Sequence, residues 1–286
     1  MTVAELKGLV DKYELWNEPD TNYGGYQMIQ PQDYIQMATQ VIPEIKRIDP
    51  DADVVILSTC GFLTEEDKAY TEEILCSGVP ALADAISLHT VNVDAMPQNR
   101  DEYYYHYDAM MNEMRDMAEA HGFTGYLIAD ELNYRSFYSF TVLQPEEPYS
   151  YYPTETEVAA KNIARMMVIN RGMGIRVGTS GTNAYERVLE GRILRDYNRM
   201  MNGLTPVKLD LRIDSSIKEF RHYAFSAPNG DIYLAAWKDT AATADDQSIA
   251  CDLTIGGMNA KRADWLDPFY ARTKSLHFEN TSEGIN

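Results

Sequence analysis

The feature that most limits what this chain can fold into is an alternation. From about residue 12 to 185, short apolar runs of strand length take turns with stretches whose apolar residues recur every three or four positions. Strands separated in this way are joined as parallel neighbours through helical crossovers, which predicts an α/β architecture. The strand-length runs are residues 12–17, 53–59, 85–91, 125–131 and 176–182.

Three helices between them have legible faces. Tyr107, Met110, Met111, Met114 and Met117 form one stripe, with Gly122 placed to cap it, and core packing is the expected role of these methionines. Thr154 and Glu157 read as a capping box ahead of Val158, Ala159, Ile163, Met166 and Met167. Tyr34, Met37, Ala38, Val41 and Ile45 make a third stripe, which Pro43 is expected to kink. After about residue 204 the pattern changes. Residues 219–227 and 232–238 flank Pro228-Asn229-Gly230-Asp231 as a β-hairpin with an Asn-Gly turn, and later segments continue in short strands. Two domains are expected: a (β/α) barrel-type domain over 1–204 and a β-sandwich-like domain over 205–286.

Charge narrows the partners. Lysine and arginine number 25 against 44 aspartates and glutamates, a formal net charge of −19. That field repels phosphate backbones and anionic lipid heads, so neither nucleic acid nor membrane is an expected partner. Neutral sugars are indifferent to it, and a negative surface also serves solubility alone. Cys60, Cys76 and Cys251 lack metal-ligand spacing and read as free structural thiols, so neither zinc nor a disulfide framework is expected. Nothing else in the sequence calls for a cofactor. No apolar run reaches the length of a membrane span, and residues 1–6 lack the basic and apolar regions of a secretory leader.

In a (β/α) barrel the reacting groups stand at the C-terminal ends of strands, and two of these ends carry glutamate. Alternation puts Glu14, Trp16 and Glu18 on one face and Tyr13 and Leu15 on the other, with Glu18 at the barrel mouth. In the later strand Leu127, Ala129 and Glu131 share a face while Asp130 falls opposite, so parity selects Glu131. One strand-end glutamate is usually a solvated loop residue, but two on separate strands of a barrel can converge. Hydrolysis of a glycosidic bond with retention needs two carboxyls about 5–5.5 Å apart, one protonated and one ionised. Like charges that close raise one of the two pKa values.

The segment Tyr13-Glu14-Leu15-Trp16-Asn17-Glu18-Pro19-Asp20 resembles the fourth-strand motif of clan A glycoside hydrolases. The resemblance implies that Glu18 is the acid/base and that Asn17 binds the sugar 2-hydroxyl. Leu127-Ile128-Ala129-Asp130-Glu131-Leu132-Asn133 is similar to the clan's seventh-strand motif, which makes Glu131 the nucleophile, with Asp130 where many members have Thr. His89 would end the sixth strand, where clan members place a His or Tyr near the nucleophile or sugar. A structural histidine bonded to a backbone carbonyl is the alternative. Trp16 either floors a sugar subsite or fills the barrel interior. Tyr134 opens an aromatic loop with Phe137, Tyr138, Phe140, Tyr149, Tyr151 and Tyr152, which either stack on sugar or pack on one another. Trp237 and Trp265 read as β-domain core. The β-domain suggests similarity to family 39 relatives such as β-xylosidases.

If the first strand corresponds to the clan's fourth, the chain supplies the C-terminal half of a TIM (β/α)8 barrel. A fragment of a longer enzyme, or completion by a missing N-terminal half-barrel, would explain it, and the chain alone is then expected to be weakly active or inactive. The implied substrate is an oligosaccharide or polysaccharide, and the compartment stays open, with extracellular or periplasmic favoured over cytoplasmic. A non-catalytic carbohydrate-binding or scaffold relative stays open beside the retaining hydrolase.

Overall fold

The computed structural model describes residues 2–21, 27–62, 64–89, 100–131, 156–178, 189–216, 219–240, 242–244, 250–267, 269 and 272–286. The chain divides into two compact units, the first built mainly from Met1–Asn133 with Gly174–Ser180 and the second mainly from Pro153–Met173 with Gly181–Asn286.

The first unit holds a parallel half-barrel of five strands: β1 (Lys12–Glu14), β2 (Asp53–Thr59), β3 (Ala85–Leu88), β4 (Tyr126–Ala129) and β5 (Arg176–Val177). Their spatial order equals their chain order, and every neighbouring pair is parallel. This is the parallel α/β sheet expected from the alternation and the half-barrel implied by the resemblance. β2 has the bounds read from the sequence, because its apolar run is continuous and begins at the polar Asp53. The other strands are shorter than the runs that announced them. β2 is buried at all positions after Asp53 and β3 throughout, as parallel strands covered on both faces must be.

Helix Pro31–Ile48 begins with proline at its first turn and buries Tyr34, Ala38, Ile42 and Ile45. It runs unbroken through Pro43, which lies on the exposed face, where water can satisfy the carbonyl that loses its partner. Ile42 rather than Val41 completes the buried stripe. Helix Glu65–Leu75 starts from a Thr64–Asp67 capping box. Helix Arg100–Ala120 buries Tyr107, Met110, Met111 and Met114, so the methionine stripe is core. Gly122 then turns left-handed at φ 85°, and Phe123 N–H returns to the Ala118 carbonyl.

At the N-terminal ends of the strands a polar cluster ties the sheet together. The Arg176 guanidinium lies 3.3 Å from the Tyr126 ring centroid, Tyr126 donates to Asp53, and Asp84 accepts from Val54 N–H at 2.7 Å. This end of a barrel serves stability, and chemistry belongs at the other.

The second unit combines helices Thr156–Gly172 and Leu189–Met201 with three antiparallel sheets. The first sheet orders β6 (Thr205–Val207), β8 (Phe220–Ser226) and β9 (Ile232–Lys238), and the second orders β13 (Gly284–Ile285), β10 (Cys251–Gly256) and β7 (Leu211–Ser215). The third pairs β11 (Asp264–Asp267) with β12 (Arg272–Ser275). Gly172 lets the Tyr223 ring approach, since a Cβ there would lie 2.0 Å from Tyr223 Cδ1. The β8–β9 hairpin forms as expected, with Gly230 left-handed at φ 89° and Ala227 N–H bonded to the Asp231 carbonyl. Asn229 and Gly230 thus belong to a three-residue loop closed by a glycine bulge rather than to a two-residue turn.

Trp237 is half-buried and stacks on Tyr223 at 6.1 Å between centroids. Trp265 corrects an expectation: it is 48% exposed, because β11 pairs only with β12 among the described residues and neither strand has a buried residue. The Thr154 cap and the aromatic loop from Tyr134 to Tyr152 lie outside the described residues.

Candidate active site

The C-terminal exits of β1 and β2 leave regular extended geometry at the same level. Trp16, Glu18, Leu57 and Ser58 have φ of 72°, 47°, 73° and 52°. Left-handed backbone is rare for bulky L-residues, and strain of this kind persists only where its surroundings impose it. Here the surroundings are hydrogen bonds. The fully buried Tyr34 hydroxyl donates to the Leu15 carbonyl at 3.2 Å and accepts from Leu57 N–H at 2.8 Å. Glu18 N–H reaches the Ser58 carbonyl at 3.0 Å, and Cys60 N–H reaches both Asp20 oxygens at 3.0 and 3.1 Å. The alternation expected as far as Glu18 therefore stops at Glu14, where β1 ends. Even so, Glu14 and Glu18 each bring a carboxyl oxygen within 4.8 Å of a His89 ring nitrogen.

His89, at the exit of β3, is the hub. It is 2% exposed, and its amide is held by the Thr59 carbonyl at 2.8 Å. Its Nδ1 lies 3.0 Å from Glu18 Oε1 and 3.9 Å from Glu131 Oε1, and its Nε2 lies 3.5 Å from Asp130 Oδ1. The polar atoms of Glu18, His89 and Glu131 are all within 4.8 Å of one another, as are those of Glu14, His89 and Asp130. β4 ends at Ala129, so Asp130 and Glu131 are beyond the ladder and parity no longer assigns them opposite faces. Both reach the imidazole. Gly178 makes room for this turn, since a Cβ there would lie 2.8 Å from the Asp130 carbonyl oxygen.

The charges follow from these contacts. The hydrogen bond from His89 holds the Glu18 carboxyl below the ordinary range, against a smaller opposing effect of burial, and the Cys60 thiol adds to the lowering. Burial disfavours a charged His89, but the Glu18 hydrogen bond and the charges of Asp130, Glu131 and Glu18 outweigh it and raise its pKa. Glu14 is pushed up to about 8 by desolvation, then by the hydrogen bond and like charge of Asp130, although the residue as a whole is exposed, which leaves Asp130 as the firmer cause. Burial and the nearby carboxylates push the Cys60 thiol up to about 12, which keeps it neutral and unreactive. The Glu18–His89 contact thus favours the charged form of each partner. Each triad brings three oxygen and nitrogen ligand atoms within 4.8 Å of one another.

Glu18, Glu131 and His89 therefore meet, with Asn17 exposed beside Glu18 and Trp16 standing 49% exposed rather than packed inside the barrel. Tyr134 lies outside the described residues. Sequence reasoning missed Glu14, Asp130, Asp20 and Cys60 as neighbours of the site. Glu14 shared the period-two face with Glu18, a signal that could have found it. Nothing in the sequence pointed to Cys60.

The half-barrel with acidic groups gathered at its strand exits has the fold of clan A glycoside hydrolases. A family 39 glycoside hydrolase from the gut symbiont Bacteroides cellulosilyticus WH2 superposes with a TM-score of 0.51, at 15% identity over 99% of this chain and 57% of its own. A family 44 xyloglucanase from Paenibacillus polymyxa gives 0.53, at 10% identity over 80% of this chain and 54% of its own. The family 44 endoglucanase Cel44A from Clostridium thermocellum gives 0.51, at 13% identity over 79% and 53%. At these identities the likeness is one of fold, and the chain spans a little over half the length of each of these structures. No protein-family model matches the sequence, and no curated protein matches it either.

Proposed function

We propose that this chain carries the catalytic pair of a retaining O-glycoside hydrolase, with Glu18 as acid/base and Glu131 as nucleophile. The observation that supports the reading best is their approach: carboxylate oxygens from two separate strand exits lie within 4.8 Å of each other around His89. Retention uses carboxyls about 5–5.5 Å apart, whereas inversion leaves about 6.5–9.5 Å for a water between them. In the first step Glu131 attacks the anomeric carbon while Glu18 protonates the departing oxygen. In the second, Glu18 takes a proton from water, which releases the sugar from Glu131. Asn17 binds the 2-hydroxyl, and the open face of Trp16 stacks on an oligosaccharide or polysaccharide. Residues 205–286 serve as an accessory β-domain.

One observation favours a non-catalytic sugar-binding relative. Glu18 is held below the ordinary range, whereas a general acid must carry a proton. The His89 imidazolium 3.0 Å away answers this, because moving its Nδ1 proton onto Glu18 creates the acid where it is used.

Incubation with a panel of 2-deoxy-2-fluoroglycosides bearing activated aryl leaving groups, followed by peptide mass analysis, tests the proposal. The expected result is a covalent glycosyl adduct on the peptide containing Glu131. An adduct elsewhere, or none, overturns the assignment. Glu18→Ala is expected to slow hydrolysis of unactivated substrates on the order of 10²–10⁴-fold.

A further inference from the structure

His89 can serve Glu18 only if its ring is held with the correct nitrogen forward, and the structure supplies a second pair of carboxyls at the far nitrogen. We propose that Asp130, braced by Glu14, is the positioning residue for His89: it takes the Nε2 side of the ring and so presents Nδ1 to Glu18. The proposal rests on the reading of Glu18 as acid/base.

The geometry carries it. Asp130 Oδ1 is buried, makes no hydrogen bond among the described residues, and has His89 Nε2 as an ion-pair neighbour at 3.5 Å. The backbone behind Asp130 cannot retreat toward β5, since Gly178 N–H is bonded to the Ala129 carbonyl and Gly178 is in close contact with Asp130. Glu14 places a polar atom within 4.8 Å of both Asp130 and His89. Its raised pKa favours the protonated form, in which it can donate to Asp130. Among the described residues, the other titratable groups here are Glu131, which faces Nδ1 with Glu18, and Cys60 and Asp20 beside Glu18.

The consequence is a choice of tautomer. With Asp130 at Nε2, a neutral His89 keeps its proton on Nε2 and leaves a lone pair on Nδ1 facing Glu18. Before the first step the Nδ1 proton of the imidazolium moves onto Glu18, which gives it to the leaving oxygen and is left as the carboxylate. When Glu18 takes a proton from water, Nδ1 can accept it back. One proton moves between two named atoms, and no other reactant is needed.

The test reads His89 directly, by nitrogen-15 NMR titration of the full chain, with the signal assigned by its loss in His89→Gln. Above its pKa the wild-type ring is expected as the Nε2–H tautomer, and a dominant Nδ1–H form overturns the proposal without any further variant. Asp130→Asn is expected to lower the His89 pKa by about one unit and to abolish the tautomer preference. Glu14→Gln, which imitates the protonated carboxyl, should leave both unchanged below pH 7. An unchanged His89 in Asp130→Asn, or an equal shift in Glu14→Gln, overturns the proposal. On any aryl glycoside the chain hydrolyses, the basic limb of kcat/KM should fall by the same unit in Asp130→Asn at unchanged KM, a shift that a merely structural residue would not produce. Failure of the hydrolase reading appears separately, as a missing adduct on Glu131, and leaves the His89 measurement intact.

Discussion

The two units are built from sheets that treat water differently. β2 and β3 are buried almost end to end, while β11 and β12 have no buried residue and β7 alternates half-buried with exposed positions. Parallel strands force this on the first unit, because crossover helices cover the sheet, whereas hairpins can leave a face wet. Glu14, Glu18, Asp20, Cys60 and His89, whose titrations are displaced, all sit at the exits of the parallel strands. A rigid, dry platform can hold charged groups in strained backbone, and an exposed hairpin cannot.

If burial sets that difference, its largest effect should appear at the centre of β2. Ile56 is fully buried and pairs with Ile86 of β3. Ile56→Ala is expected to destabilise the chain by about 3 kcal/mol in urea denaturation, from lost transfer energy plus the cavity left behind. A loss below about 1 kcal/mol would mean that the sheet is loosely packed and would break the comparison.

How much of this was legible depends on which residues are asked. The run from Asp53 to Thr59 announced β2 with its bounds, since an unbroken apolar stretch of strand length has few other uses. The stripe at Tyr107, Met110, Met111 and Met114 announced a buried helix face. Strand ends were harder to read. No glycine or asparagine warned that Trp16, Leu57 and Ser58 would be left-handed, because that geometry is imposed by Tyr34 and by bonds from other elements. Parity for Asp130 assumed a ladder that stops one residue earlier. The meeting of Glu18 with His89 joins positions separated by 71 in the chain, and only the sheet register brings them together.

Tyr34 sharpens the comparison one step down in size. Its hydroxyl bonds β1's exit to β2's, and both partners are backbone groups. Tyr34→Phe keeps the ring but leaves the Leu57 N–H without this partner, at an expected loss of about 2 kcal/mol by urea denaturation. The same variant should relax Leu57 and Trp16 and so red-shift or broaden Trp16 emission. Full stability with unchanged emission would show that the left-handed residues hold themselves in place without the tyrosine.

The smallest effect is expected from the largest side chain. Trp265 is 48% exposed, sits opposite Lys274 in a two-stranded sheet, and has no buried strand neighbour in β11 or β12. What it contributes is a cross-strand contact and whatever partial burial survives in a compact denatured state, together about 1 kcal/mol or less. Trp265→Ala should therefore shift the urea midpoint less than Ile56→Ala does, although it removes more atoms. Side-chain size and energetic weight then run in opposite directions between the two units, as expected if cover rather than composition decides stability. A loss equal to that of Ile56→Ala would mean that Trp265 is packed in solution, and the contrast between a dry parallel sheet and wet hairpins would fail at its clearest point.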